Sequence, residues 1–148
     1  MATNPMPNLG NLNRVRASVT FPGFTSLNIT SSQMGKRFVS VVFDEDFVTQ
    51  IQQGVGIINS PEPYVMSTIT CDIMRTLPLA QAFISQIQDT AVLGTVKVYS
   101  DTSAFIPPTI YNASVIKADP NAFDGTQGVL ALTIRGIFYP NSNLWSFA

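Results

Sequence analysis

The sequence contains no histidine, a single cysteine and few charged side chains. Without histidine, the chain lacks the usual general base, the commonest metal ligand and every Ser-His or Cys-His nucleophile pair. Cys71 has no partner for an intramolecular disulfide, which fits a reducing compartment. A Ser-Lys arrangement remains formally possible, but nothing singles out Lys36, Lys97 or Lys117. The sequence predicts no enzymatic activity, no cofactor and no required metal.

Charged residues make up 11% of the chain, although 45% of it is hydrophobic. An ordinary soluble domain has about 25% charged residues, and low charge leaves a monomer poorly protected against association. The sequence therefore predicts that much of the surface is covered by partners. The charge is also uneven: four basic residues and no acid precede residue 38, whereas all nine acids follow it. Four cations without interleaved aromatic residues are too few for a nucleic-acid-binding surface.

Long hydrophobic runs are missing as well, so no segment of the sequence predicts a membrane-spanning helix. The first twelve residues show no signal-peptide pattern, and their asparagine, proline and glycine content predicts a flexible arm. The length of 148 residues predicts a single domain over residues 1–148.

The clearest pattern in the sequence is a strand, a helix and a second strand between Tyr64 and Tyr99. Alternation predicts that one face of the first strand consists of Val65, Ser67, Ile69, Cys71 and Ile73. A helical spacing follows, which predicts a helix over about residues 76–90 with Thr76 as its N-cap. The expected apolar face of that helix consists of Leu77, Ala80, Phe83, Ile84 and Ile87. Val92, Val96 and Val98 are then expected to share one face of the second strand.

Alternating residues elsewhere predict further strands at 14–20, 26–30, 37–43, 110–117 and 129–139. The strand at 37–43 is apolar on both faces, so we expect both faces to be buried, by the fold or by another subunit. In the first two strands, the polar residues Arg14, Arg16, Ser18 and Thr20 with Ser26, Asn28 and Thr30 are expected to form one hydrophilic face. The apolar residues Leu144, Trp145 and Phe147 should dock somewhere on the protein. The predicted fold is mainly β: an antiparallel barrel or sandwich with one flanking α-helix.

A long excursion over about residues 44–63 interrupts the strands, and a short helical turn or a hairpin is equally compatible with it. Its apolar residues are Phe47, Val48, Ile51, Val55, Ile57 and Ile58. Connections normally run over the surface, so this apolar content predicts a contact with another subunit. The acids Asp44, Glu45 and Asp46 are then expected to meet Arg14, Arg16, Lys36 or Arg37 of a neighbouring copy. A cation site at the three acids is the weaker interpretation, because adjacent strand residues alternate between faces.

Three segments resemble tail tube proteins of contractile-tailed bacteriophages. They are Thr76-Leu77-Pro78-Leu79-Ala80-Gln81-Ala82, the strand from Gly94 to Tyr99, and Arg135-Gly136-Ile137-Phe138-Tyr139. The resemblance covers most of residues 36–140, and the tube proteins of type VI secretion systems and pyocins share the same architecture. It implies a β-barrel-like fold with one flanking helix, hexameric rings that stack into a hollow tube, and passage of DNA through that tube. The family has no catalytic residues to carry over.

Such a protein is expected in the virion tail after synthesis in the host cytoplasm, with tail sheath, baseplate and tail terminator proteins as partners. DNA would be in passage only, without sequence-specific binding, and no membrane would be involved. Two alternatives remain open at this point. One is a baseplate or tail-completion protein of the same lineage that forms a single ring. The other is a barrel that binds a small apolar ligand.

Overall fold

The computed structural model describes residues 16–101, 106–119, 125–126 and 128–143, and at positions 36 and 37 only the backbone. Within these residues the chain forms eight β-strands and one α-helix. They are β1 (Ala17–Thr20), β2 (Met34–Phe43), β3 (Val48–Gln52), β4 (Ile57–Pro61), β5 (Val65–Met74), α1 (Pro78–Asp89), β6 (Val92–Ser100), β7 (Thr109–Asp119) and β8 (Val129–Phe138). The predicted N-terminal arm, Arg14 and the three apolar residues near the C-terminus lie outside the described residues.

Six strands form one antiparallel sheet in the order β1-β6-β7-β8-β5-β2, and this sheet curls into a half-barrel. The other two strands, β3 and β4, form a separate hairpin. The predicted mainly β fold with one helix is therefore confirmed. Because β7 and β8 lie between β6 and β5, the strands on either side of the helix are not neighbours in the sheet. The segment from β5 through α1 to β6 is thus not the parallel strand-helix-strand crossover of a doubly wound sheet.

The hydrophobic core lies on the concave face of the sheet. Every second residue of β5 is buried, and the buried residues are those that the alternation predicted: Val65, Ser67, Ile69, Cys71 and Ile73. β8 pairs with β5 along its whole length and adds three buried side chains, Leu130, Leu132 and Ile134. The one polar group in this row is satisfied, since the Ser67 hydroxyl donates to the carbonyl oxygen of Val42 at 3.3 Å.

The helix α1 closes one end of this core. It begins at Pro78, with Leu77 as its N-cap and no side-chain hydrogen bond at the cap, so the prediction of Thr76 as N-cap is wrong. Proline is well suited to the first helical position, where its missing N–H has no intrahelical partner to lose. Leu79, Ala80 and Phe83 are its buried residues, and the Phe83 ring meets Phe21 edge-on at 5.8 Å.

A bulge in β6 overturns the prediction that Val92, Val96 and Val98 share one face. Val96 and Val98 are buried, whereas 63% of Val92 is exposed and Leu93 is buried in its place. The pairing of β6 with β7 shifts register on both sides of Gly94, whose φ is +78°. Glycine adopts this left-handed conformation without a Cβ clash, and the extra residue of a bulge reverses the inward and outward positions.

The strand predicted at 26–30 is also wrong. Residues Thr25–Leu27 form a 3₁₀ turn, and Ile29 then makes a single bridge to Val19 through hydrogen bonds of 3.0 and 2.9 Å. Leu27 and Ile29 are buried as their spacing predicted. Asn28, however, does not belong to a hydrophilic sheet face, because its Oδ1 accepts the backbone N–H of Phe21 at 2.8 Å. Asparagine commonly competes for backbone hydrogen bonds in this way, which favours turns over strands.

Replacing Asn28 by alanine is expected to destabilise the fold by about 1–3 kcal/mol, because the N–H of the fully buried Phe21 would lose its acceptor. Ser26→Ala is the matched control, since Ser26 is exposed in the same turn and should change stability by less than about 0.5 kcal/mol. Urea unfolding of both variants measures the difference. Equal midpoints would show that the Asn28 hydrogen bond contributes nothing.

Candidate assembly surface

The excursion after β2 is a hairpin, so of the two alternatives left by the sequence the helical turn is wrong. β3 and β4 pair from Val48↔Pro61 to Gln52↔Ile57, and the N–H of Gln53 donates to the carbonyl of Gly56 at 2.7 Å to close the turn. Side chains strengthen the pairing, since Gln50 Nε2 donates to Asn59 Oδ1 at 3.2 Å. Neither strand pairs with the six-stranded sheet within the described residues.

Most apolar side chains of the hairpin are exposed. Ile51, Ile57 and Ile58 are 52%, 54% and 48% exposed, and Val55 at the turn is completely exposed. Ile51 lies directly opposite Ile58, so the two side chains share one face of the hairpin. Ile57 pairs with Gln52 and takes the opposite face. Isolated exposed apolar residues are ordinary, but several of them on both faces of one short hairpin are typical of an interaction surface.

The base of the hairpin is held firmly against the main sheet. Phe47 packs on Phe43 and Phe138, with ring centroids 5.2 and 6.3 Å apart. Asn141 Nδ2 donates to the carbonyl oxygens of Phe47 and Glu62 at 2.9 and 3.1 Å, which ties both ends of the hairpin to the segment after β8. The structure thus separates Phe47, which anchors the hairpin, from the isoleucines that project beyond it.

The three acids before the hairpin, Asp44, Glu45 and Asp46, do not form the cation site that is the weaker interpretation of the sequence. Asp44 is engaged within its own chain, 3.5 Å from Arg135 Nε and accepting the Thr68 hydroxyl at 2.7 Å. Glu45 and Asp46 are exposed beside the hairpin. Among the described residues, no three acidic or cysteine side chains are placed to hold a metal ion. The three adjacent acids therefore do not act as one site in this structure.

Of the predicted basic partners, only the Arg16 side chain lies within the described part of the structure. Arg16 lies just before β1 at the opposite edge of the sheet from β2, where its N–H donates to Asp101 Oδ1 at 2.9 Å. Positions 36 and 37 fall within β2, and the placement of the Lys36 and Arg37 side chains lies outside what the structure describes, as does Arg14. The structure therefore brings the hairpin residues together, and Arg16, the one predicted cation whose side chain is described, lies away from the acids of its own chain.

The strand β2, predicted to be buried on both faces, is only partly covered. Val42 on its outer face is 52% exposed, and Phe43 on its inner face is 37% exposed. Phe38 adopts a φ of 61° where the pairing with β5 shifts between Met34 and Val39. The strand also forms one edge of the sheet, pairing with β5 alone in the described part of the chain.

An apolar groove of about 1040 Å³ opens beside the hairpin base. Its main lining residues are Val39, Val41, Phe43, Ile106, Tyr111 and Phe138. Val41 and Phe43 pair with the buried residues Ile69 and Ser67, so the groove lies on the core-facing side of the sheet. Sequence reasoning missed this groove, because its walls come from strands that are distant in the chain.

The single cysteine is not prepared for reaction. Cys71 is buried, and burial together with the nearby Asp72 raises the pKa of its thiol to about 12. A protonated, inaccessible thiol is a packing element, as its position in the alternation predicted. In the described ranges, no helix is both long enough and apolar enough to cross a membrane.

Comparisons with known proteins add no family assignment. No protein-family model matches the sequence, and no curated protein is significantly similar to it. The functional argument therefore depends on the geometry of the fold and on the residues themselves.

Proposed function

We propose that this protein is a structural virion component that assembles into stacked hexameric rings and forms the inner tube of a bacteriophage tail. The observation that carries the proposal is the β3–β4 hairpin, which projects from the half-barrel with its isoleucines exposed. A hairpin that meets a different surface of the next copy makes a head-to-tail contact, and such contacts produce rings or filaments.

The edges of the sheet support the same assembly. β2 pairs with β5 alone among the described residues, so its other edge is free, whereas the outer edge of β1 is partly occupied by the bridge between Val19 and Ile29. Natural proteins rarely leave sheet edges exposed, because free N–H and C=O groups recruit another strand. A neighbouring copy that covers the free edge of β2 would satisfy its backbone groups, and in a ring this edge of every subunit would be covered. The curled sheet with one flanking helix is also what the resemblance to tail tube proteins implies.

In this proposal the partners are other copies of the chain, the tail sheath, the baseplate and the tail terminator. The protein acts in the virion tail after synthesis in the host cytoplasm. DNA passes through the tube without sequence-specific contacts, in keeping with the low charge of the chain. A lumen that attracted phosphates strongly would hold DNA back.

A second candidate function is favoured by one specific observation, the apolar groove. Its volume of about 1040 Å³ falls at the upper end of the range for small-molecule sites. An apolar-ligand-binding protein would use this groove as a monomer. A baseplate or tail-completion protein would instead form a single ring and leave the groove without a ligand.

Electron microscopy and light scattering of the purified protein separate these functions. We expect hollow tubes of many stacked rings, whose length increases with protein concentration. Isolated rings at every concentration would favour the baseplate or tail-completion function. A monomer that persists at high concentration would overturn assembly and favour ligand binding.

A further inference from the structure

The angle at which the β3–β4 hairpin leaves the main sheet depends on a small number of groups at its base. β3 and β4 pair with each other and with no strand of the main sheet within the described residues. The base meets the rest of the chain through the Phe47 ring, which packs on Phe43 and Phe138, and through the side-chain amide of Asn141. We propose that Asn141 is a positioning residue, which fixes the orientation of the hairpin and thereby its ability to meet the next copy.

The hydrogen bonds of Asn141 reach both ends of the hairpin. Its Nδ2 donates at 2.9 Å to the carbonyl oxygen of Phe47, directly before β3, and at 3.1 Å to that of Glu62, directly after β4. The N–H of Glu62 donates to the same Phe47 carbonyl at 3.0 Å, so the three residues are joined in one node. Carbonyl oxygens only accept, and an amide nitrogen carries two N–H donors, so one side chain satisfies both carbonyls. Attachment at two points on two strands resists rotation of the hairpin about its base.

The aromatic contact at the base does not fix an angle in the same way. Hydrophobic packing is non-directional, whereas a hydrogen bond weakens steeply as it bends. The Phe47 ring therefore holds the base down but lets it pivot. The five residues of β3 span about 17 Å, so a rotation of ~10° at the base moves the far end by ~3 Å. A shift of that size separates side chains that touch only when their heavy atoms lie within about 4.5 Å.

The residue type at position 141 meets two demands at once. Its φ is 58°, and asparagine is one of the few residues other than glycine that adopt this left-handed conformation readily. Glycine would supply the conformation without a donor, and an ionised aspartate would present acceptors to two carbonyl oxygens. The consequence for tubes rests on the proposed function, whereas the orientation of the hairpin is a property of the single chain.

Two variants and one matched control isolate the side-chain hydrogen bonds. Asn141→Gly and Asn141→Asp remove both donors and keep a residue that tolerates the left-handed backbone. Asn112→Gly is the control, because Asn112 has a φ of 51° and is exposed, and its side chain makes no hydrogen bond with another described residue. Far-UV circular dichroism and urea unfolding establish that each variant is folded.

Spin labels measure the hairpin angle in the single chain. Val55→Cys labels the hairpin turn and Ile116→Cys labels β7, at side chains that are fully and half exposed, while the native Cys71 is buried. Threonine at positions 51, 57 and 58 keeps this chain from assembling. We expect a narrow distribution of label distances in this parent and in its Asn112→Gly form, and a broad one in both Asn141 variants. Equal widths in all four chains would overturn the proposal, and so would unfolding of the Asn141 variants, which would make Asn141 a determinant of the whole fold.

Assembly is then measured in unlabelled chains with the native hairpin. The critical concentration for tubes should rise at least ~10-fold in both Asn141 variants, because a pivoting hairpin must be ordered again at every contact. Asn112→Gly should leave the critical concentration unchanged. Broad label distances combined with an unchanged critical concentration would overturn the positioning role. If the native chain forms no tubes, the proposed function fails, and the label distances by themselves decide whether Asn141 fixes the hairpin.

Discussion

Replacing Ile51, Ile57 and Ile58 by threonine is expected to abolish tube formation while leaving the monomer folded. These side chains are about half exposed and lie outside the core, so the folded monomer should lose little stability. Covering their exposed halves in a contact is worth about 2–4 kcal/mol of gross transfer free energy. Losing this free energy lowers the affinity of each contact by on the order of 10²-fold. In the proposed tube several identical contacts would act together between two rings, so stacking should disappear.

Valine at the same three positions is the matched control. Threonine and valine have the same shape and similar strand preference, so the two triple variants differ mainly in whether an apolar methyl or a hydroxyl is presented. Sedimentation and electron microscopy should show tubes for the valine variant and single subunits or short oligomers for the threonine variant. A threonine variant that polymerises normally would remove the hairpin from the interface. One that unfolds would place the hairpin in the core.

Gly136→Ala should be the most damaging small substitution in the main sheet. A Cβ at this position would lie 2.8 Å from the carbonyl oxygen of Tyr111 and 3.0 Å from the Cα of Ala113, and would also collide with the Ile110 side chain. Two of these three neighbours are backbone atoms of β7, which cannot move without disturbing its pairing with β8. We expect a loss of about 1–3 kcal/mol, towards the upper part of that range.

Gly128→Ala provides the comparison for this substitution, since a Cβ there meets no atom within 4 Å. Its stability should change by less than about 0.5 kcal/mol. Denaturant unfolding is best measured in the background of the threonine hairpin variant, because assembly would otherwise add a concentration-dependent stabilisation. Similar midpoints for the two alanine variants would show that β7 and β8 separate at little cost.

The charges near the hairpin have a narrower role than the sequence alone suggested. Asp44 is already paired with Arg135, so in the proposed assembly Glu45 and Asp46 remain to meet a basic residue of the next copy. An exposed ion pair contributes roughly 0–1 kcal/mol, and screening by salt reduces that further. In the proposed assembly the apolar hairpin residues would therefore supply the affinity, and the acids would set the orientation of the contact.

The local patterns of the sequence determined the fold class and much of the core. Alternation placed all five buried residues of β5 correctly, because a strand that is covered on one face has no other way to bury its apolar side chains. The change to helical spacing located α1 to within two residues at its start. The absence of histidine and the single cysteine restricted the chemistry without any structural information.

Tertiary structure alone decided the features that depend on contacts between distant segments. The bulge at Gly94 moved Val92 to the surface, because the register of β6 is set by β7 and not by its own alternation. Asn28 turned inward because the N–H of Phe21 needed an acceptor. The pairing of Asp44 with Arg135 and the apolar groove arise from strands that are adjacent only in the sheet. Periodicity reports which face a residue takes within its own segment, whereas register and curvature decide which other segment it meets.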